Sequence, residues 1–270
     1  MTQVIVSSGL DQLDTSSFRF LQEAARLGEL HVLLWPDQAV RALTGREPKF
    51  PQTERAYVVG AVRYVTRVHL AGPTITPDAL PDLPSPRPDV WVIDEQSATP
   101  AKEAYCRTHG VTLRVIRPAD LAGCPEPPAA RPSGRKKVVV TGCYDLFHSG
   151  HVRFFEEVSA LGDLYVVVGN DPNIRQLKGA GHPLFSAEVR RYMAGSIRHV
   201  TRAVIASGTG WMDAAAEIAE IKPDVYAVNE DGDRPEKREF CRKHGIEYVV
   251  LKRLPKKGLA RRNSTDLRGF

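Results

Sequence analysis

The stretch "VVVTGCYDLFHSGHVRFFEEVSALGDLYVVVGND" (138–171) decides the fold. It opens on a β-branched apolar run and passes through a polar loop holding Gly142, Asp145, His148 and His151. Apolar residues then recur at helical spacing over 151–162, with Gly162 as the stop, and "LYVVVGN" (164–170) is a second β-rich run. Branched residues suit a strand, and a 3.6-residue period suits an amphipathic helix. Strand, helix and strand joined by short turns make a βαβ unit with parallel strands. The alternation continues through helices at 186–200, 211–221 and 234–245 and strands at 202–207, 224–229 and 247–253. It predicts an α/β fold with a doubly wound parallel sheet, in which ligands bind beyond the carboxyl ends of the strands.

The stretch has a second copy. "VIVSSGLDQLDTSSFRFLQEAARLGELHVLLWPD" (4–37) aligns with it at a shift of 134, without a gap and with 11 of 34 positions identical. After one inserted residue, "PDVWVIDEQSATPAKEAYCRTHG" (88–110) meets "PDVYAVNEDGDRPEKREFCRKHG" (223–245), with ten of 23 identical. The chain therefore reads as two tandem Rossmann-like domains, 1–122 and 137–270. The Pro-rich, basic segment 123–136 is expected to be the linker.

Composition narrows the class. The 270 residues are 42% hydrophobic, enough for two modest cores. No apolar run approaches the ~20 residues of a membrane span, and the start lacks a signal-peptide pattern. Cys106, Cys124, Cys143 and Cys241 show no metal or disulfide spacing. A cytoplasmic protein with no membrane partner is expected. Residues 1–134 carry a net charge of −1 and the rest +6, so the excess cations sit in the half with the histidines. That suits an anionic ligand, and equally a solvated basic surface.

His148 and His151 fall in the loop between the first strand and the first helix of the second copy. The helix is expected to begin near Ser149, with its free N–H groups facing the loop. Gly150 leaves room for a ligand between the two imidazoles. Two imidazole N–H donors at a helix N-terminus make a phosphate site. Two other readings stay open: a capping pair, or half of a zinc site, for which no third ligand stands at metal spacing.

"GCYDLFHSGH" (142–151) resembles the HxGH signature of the nucleotidyltransferase superfamily, in the form found in glycerol-phosphate and phosphoethanolamine cytidylyltransferases. The resemblance continues through "LGDLYVVVGND", "LKGAGHPLFSAEVRR" and "NSTDL", covering about 136–268. It implies transfer of CMP from CTP to a small phosphorylated alcohol, polyol or amine, with pyrophosphate leaving. "LKG" and "ALGD" also occur in adenylyltransferases, so ATP is the alternative nucleotide. Another class, a nucleotide-binding regulatory protein, would have lost the motif's phosphate ligands. Nucleic-acid binding would bring a KMSKS-like loop, which the sequence lacks.

The resemblance also implies roles. His148, His151 and Lys178 would act on the reacting phosphates. Thr141, Gly142, Cys143, Tyr144, Gly150, Arg190, Asn229, Ser264 and Thr265 would line the nucleotide. Mg²⁺ would ride on the triphosphate without a protein metal site, and Asp145 reads as a brace of the loop. "VNEDGD" (228–233) departs from the family's "KGxD", and the cluster Lys252–Arg262 has no firm counterpart.

At the aligned positions the first copy has Asp14 for His148, Ser17 for His151 and Thr44 for Lys178. Pro118 and Ala119 stand for Ser264 and Thr265. It is expected to fold alike without catalysing, and to serve as an intrachain pseudo-dimer partner, with a further homodimer also open.

Overall fold

The computed structural model describes residues 1–73, 75–81, 87–264 and 267. The chain divides into two compact units, Met1–Gly123 and Cys124–Phe270. The first contains β1 (Gln3–Ser8), α1 (Thr15–Ala25), β2 (Glu29–Leu34), α2 (Asp37–Thr44), α3 (Gln52–Ala61), β3 (Arg67–Leu70), β4 (Val90–Asp94), α4 (Pro100–His109) and β5 (Thr112–Ile116). The second contains β6 (Lys137–Gly142), α5 (Ser149–Ser159), β7 (Asp163–Val168), α6 (Asp171–Lys178), α7 (Ala187–Gly195), β8 (Val200–Ile205), α8 (Ala215–Ile221), β9 (Val225–Asn229), α9 (Pro235–His244) and β10 (Glu247–Leu251).

Each unit is an α/β domain with a five-stranded sheet. The orders are β3-β2-β1-β4-β5 and β10-β9-β6-β7-β8, the same order from opposite ends, and the strands pair in parallel. The expected doubly wound, Rossmann-like architecture is present twice. Val138, Val139, Val140, Val166, Val167 and Val168 are fully buried because helices cover both sheet faces.

The β6–β7 ladder runs the full strand, from Lys137↔Asp163 to Gly142↔Val168. The β6–β9 ladder has only Val138↔Val225 and Val139↔Tyr226. Beyond those pairs the carboxyl ends of β6 and β9 no longer bond to each other. This is where the strand order reverses, so the crevice opens there.

Two features differ from the sequence reading. Helix α6 was not expected, since "DPNIRQLK" offers only Ile174 and Leu177 as apolar positions. Asn170 starts it by accepting from Asn173 N at 2.9 Å, and Pro172 fixes the first turn. The helix expected at 211–221 is a 3-10 turn at Gly210–Met212 followed by α8. The Pro-rich segment from Cys124 onward is part of the second unit and bonds to its elements. Ala130 N donates to Thr201 O at 3.0 Å, Ser133 N to Asp163 Oδ2 at 2.7 Å, and Glu126 pairs with Arg191 at 2.9 Å.

Gly162 shows why the α5–β7 turn needs glycine. A Cβ there would sit 2.0 Å from the Lys136 carbonyl oxygen, and one on its counterpart Gly28 would sit 2.2 Å from Thr2 O. Backbone cannot yield to that extent without displacing the start of β6 or β1. Gly162→Ala is expected to destabilise the second unit by about 1–3 kcal/mol. A urea midpoint equal to wild type would contradict it.

Candidate functional site

The loop 143–148 turns the chain from β6 into α5. Tyr144 takes a left-handed φ of 53°, and its first-copy counterpart Leu10 takes 46°. The turn folds the Tyr144 ring beneath Gly142, where a Cβ would lie 2.7 Å from Tyr144 Cζ. Asp145 pins the loop, its carboxylate accepting from Leu184 N and Phe185 N at 2.9 and 3.0 Å. Asp11 does the same in the first copy, accepting from Lys49 N and Phe50 N. Asp145 is thus a brace.

His148 is the N-cap of α5, its Nδ1 accepting from Gly150 N at 3.0 Å. An accepting Nδ1 places the ring proton on Nε2. The ring is only 1% exposed and stacks on His151, with centroids 3.9 Å apart. Gly150 permits this, since a Cβ there would fall 2.8 Å from the His148 ring. In the first copy Asp14 caps α1 instead, accepting from Ser17 N and Ser17 Oγ at 2.9 and 2.8 Å.

His151 stands one turn into α5 and faces a cleft of about 380 Å³. Burial holds its pKa well below the usual histidine range, reinforced by His148, Arg253 and Lys178. The imidazole is therefore neutral near pH 7. Its Nδ1 is buried without a hydrogen-bond partner among the described residues.

The cleft sits at the ends of β6 and β9. Thr141, Gly142, Cys143 and Tyr144 form one wall, and Gly150 and His151 present the start of α5. Lys178 reaches in from the end of α6, Asn229 from the end of β9, and Ser264 from the C-terminal segment. Asn229 Oδ1 is buried with no partner among the described residues. His148 lies behind His151 rather than on the cleft surface. Thr265 lies outside the described residues.

Arg190 corrects the sequence reading. Its side chain is 0% exposed. Nε donates to Phe185 O at 2.9 Å, Nη1 to Cys143 O at 2.7 Å, and Nη2 to Gly169 O at 2.8 Å and to Asp171. The guanidinium is spent on the framework, as a clamp between the loop, β7 and α6. Arg55 repeats the clamp in the first copy, donating to Phe50 O, Gly9 O, Trp35 O and Asp37. Its presence in a copy without the phosphate-ligand pattern marks it as architecture.

Sequence reasoning missed Lys237, and it reached Asp231 and Arg253 only as members of the "VNEDGD" segment and the basic cluster Lys252–Arg262. Lys237 hides in a charged run and reads as a solvated face. Arg253 lines the cleft, pairs with Asp231 and donates to Arg262 O at 3.2 Å, which folds the basic segment back on itself. Lys256 in the same segment pairs with Glu156 at 2.6 Å. Cys106 and Cys241 are buried as small apolar residues, and burial pushes the Cys241 thiol up to about 11.

The described residues hold no group of three or more His, Cys, Asp or Glu that could bind a metal ion. None of their helices is long and apolar enough to cross a membrane. The site offers neutral N–H donors, a helix N-terminus and cations around one cavity. That set stabilises charge on phosphates.

Several known proteins resemble this chain. The cytidylyltransferase-like family model matches residues 139–257. An FAD synthase of Aciduliprofundum boonei is 36% identical over 132 residues, covering 48% of this chain and 85% of the relative. The bifunctional protein HldE of Methylococcus capsulatus is 39% identical over 102 residues, covering 37% of this chain and 21% of the relative. A lipopolysaccharide core biosynthesis protein from Thermoplasma volcanium is 27% identical with a TM-score of 0.39, covering 44% of this chain and 98% of that one. With its HxGH loop at the switch point of a parallel sheet, the chain belongs to the cytidylyltransferase-like nucleotidyltransferases.

Proposed function

We propose that the second unit transfers the adenylyl group of ATP to the phosphate of a small phosphomonoester and releases pyrophosphate. His151 carries the reading: a neutral imidazole on the first turn of α5, facing the cleft between β6 and β9. The FAD synthase relatives favour ATP over the CTP expected from the motif. FAD is an AMP unit joined to a flavin phosphate, so its synthesis moves an adenylyl group. FMN is accordingly the first acceptor to try.

In this reading the acceptor phosphate has a second pKa of ~6 and attacks as a dianion without a general base. One of its oxygens bonds to the α-phosphorus. The bond from that phosphorus to the pyrophosphate oxygen breaks, and pyrophosphate leaves with the electron pair. His151 donates an N–H to the charge that develops, His148 holds the helix start beneath it, and Lys178 bridges the two phosphates. Asn229 Oδ1 accepts from an N–H of the nucleotide, and Ser264 with Thr265 holds the distal phosphates. Mg²⁺ would arrive with the triphosphate and add positive charge around the reacting phosphates. The first unit is the non-catalytic copy, with Asp14 and Ser17 where the imidazoles would stand.

Pyrophosphate release with ATP or CTP against FMN, sugar phosphates and glycerol phosphate tests this. ATP is expected to give the higher kcat/KM with one acceptor. Turnover with CTP alone would overturn the nucleotide. Tight ATP binding without turnover on any acceptor would point instead to a regulatory binder.

A further inference from the structure

The cleft has a second lobe of about 300 Å³. It shares Thr141, Gly142, Cys143, Lys178, Asp231, Gly232 and Lys237 with the first, so the two lobes meet at these residues, where Asp231 is paired with Arg253. Its own walls are Ile174 and Leu177 of α6, the 3-10 turn carrying Trp211, and Arg234 at the N-cap of α9. Trp211 is 42% exposed, and the Arg234 guanidinium lies 4.6 Å over its ring.

Lys237 is the third residue of α9 and only 8% exposed. Its ammonium donates to Thr141 Oγ1 at 3.2 Å and lies 5.7 Å over the Tyr226 ring. No carboxylate lies within 4 Å of it among the described residues, although the charges of Asp213 and Asp233 act on it from farther away. In the first copy Lys102 holds the same place over Trp91, but it is satisfied there. It donates to Ser97 O at 2.5 Å and lies 3.9 Å from Asp78. Gly232 and Asp213 occupy the positions of Ser97 and Asp78, and Asp213 accepts from Asn173 at 2.9 Å. A buried cation with two of three N–H donors unspent and no carboxylate in contact can take an anion. It stands where the lobes join.

Resting on the adenylyl-transfer reading, we propose that Lys237, with Lys178, binds the acceptor's phosphate, and that the lobe beside Trp211 holds the acceptor's body. The walls of that lobe fit a phosphomonoester with a planar or apolar group, since Trp211 offers a ring and Ile174 and Leu177 offer methyl groups. The phosphate then lies at the junction, where one of its oxygens reaches the α-phosphorus of a nucleotide in the first lobe. Nothing beyond the attack already written is required of it.

The test is steady-state pyrophosphate release by the full chain with Lys237→Met and Lys237→Arg, using ATP and FMN or whichever phosphomonoester of the panel turns over. Lys237→Met is expected to raise the acceptor KM by about tenfold or more and leave the ATP KM within about twofold, with the melting temperature little changed. Lys237→Arg should fall between it and wild type. Both KM values unchanged, or both rising alongside a lost melting transition, would overturn the assignment while the adenylyl reading stands.

Calorimetric titration with inorganic phosphate keeps the two readings apart. If no substrate pair turns over, the adenylyl reading fails, and weaker phosphate binding by Lys237→Met than by wild type or His151→Ala still supports the site. An equal loss in His151→Ala would assign that phosphate to the triphosphate subsite and overturn the proposal. So would absence of phosphate binding by wild type.

Discussion

Replacing His151 with alanine is expected to lower kcat by about 10²–10³, the loss of ~2.7–4 kcal/mol that follows removal of one preorganised donor to developing charge. The melting temperature should fall by a few degrees at most, because the variant loses the ring's stacking on His148 but no hydrogen bond from its Nδ1 among the described residues. A variant that kept wild-type turnover would remove His151 from the chemistry. The same residue gives a pH signature. Its folded pKa lies well below the ~6.5 of an unfolded histidine. Below about pH 6.5 the unfolded chain therefore binds the proton that the folded chain refuses. Stability is full above that pH and falls as pH drops through it. His69 and His199 are also lowered by burial and add to the slope. Unfolding by urea at pH 7.5 and 5.5 should show the loss in wild type and a smaller one in His151→Ala. Bound ATP brings negative charge to the imidazole and should reduce the acid loss in wild type.

The largest stability effect is expected at Arg190. Arg190→Met leaves three carbonyls and Asp171 without their donor in a site the side chain had filled. Breaking such a buried, hydrogen-bonded charge costs about 3–5 kcal/mol, a large part of a domain's ~5–15 kcal/mol. Arg190→Lys should recover little, because three donors on one nitrogen cannot span acceptors on three sides. Arg55→Met should cost the first unit a similar amount. Urea unfolding of the full chain measures both. Normal unfolding of Arg190→Met together with a raised ATP KM would return Arg190 to the nucleotide.

The fold was legible because β-strands in a parallel sheet are apolar throughout, and "VVV" (138–140) and "YVVV" (165–168) read that way. The repeat doubled the signal. Helix α6 escaped because its stability comes from its cap and from Ile174 packing, not from a long periodic face. At the site, the loop residues and Lys178 were legible through the motif, which places them by chain order. Arg190 was misread for the same reason, since a motif holds framework and ligand residues together without marking which is which. Lys237 was invisible, because burial of a lysine in "RPEKREFCRK" (234–243) is decided by the sheet beneath it. Only its identity with Lys102 hinted that it was more than surface.

The twin clamps of Arg55 and Arg190 amount to an internal record of selection. After a duplication, one copy is free to drift wherever the other suffices. In the first copy Asp14, Ser17 and Thr44 stand where the second has His148, His151 and Lys178, yet Arg55 with Asp37 and Asp11 with its two amides match the second copy's bonds. The side chains to which chemistry is assigned in the second copy have no counterpart there, but the shape of the loop does. The first copy therefore serves as a natural control for the second: what both halves keep with the same bonds belongs to the scaffold, and what only one half keeps, or keeps with its partners changed as at Lys237, is where to look for purpose.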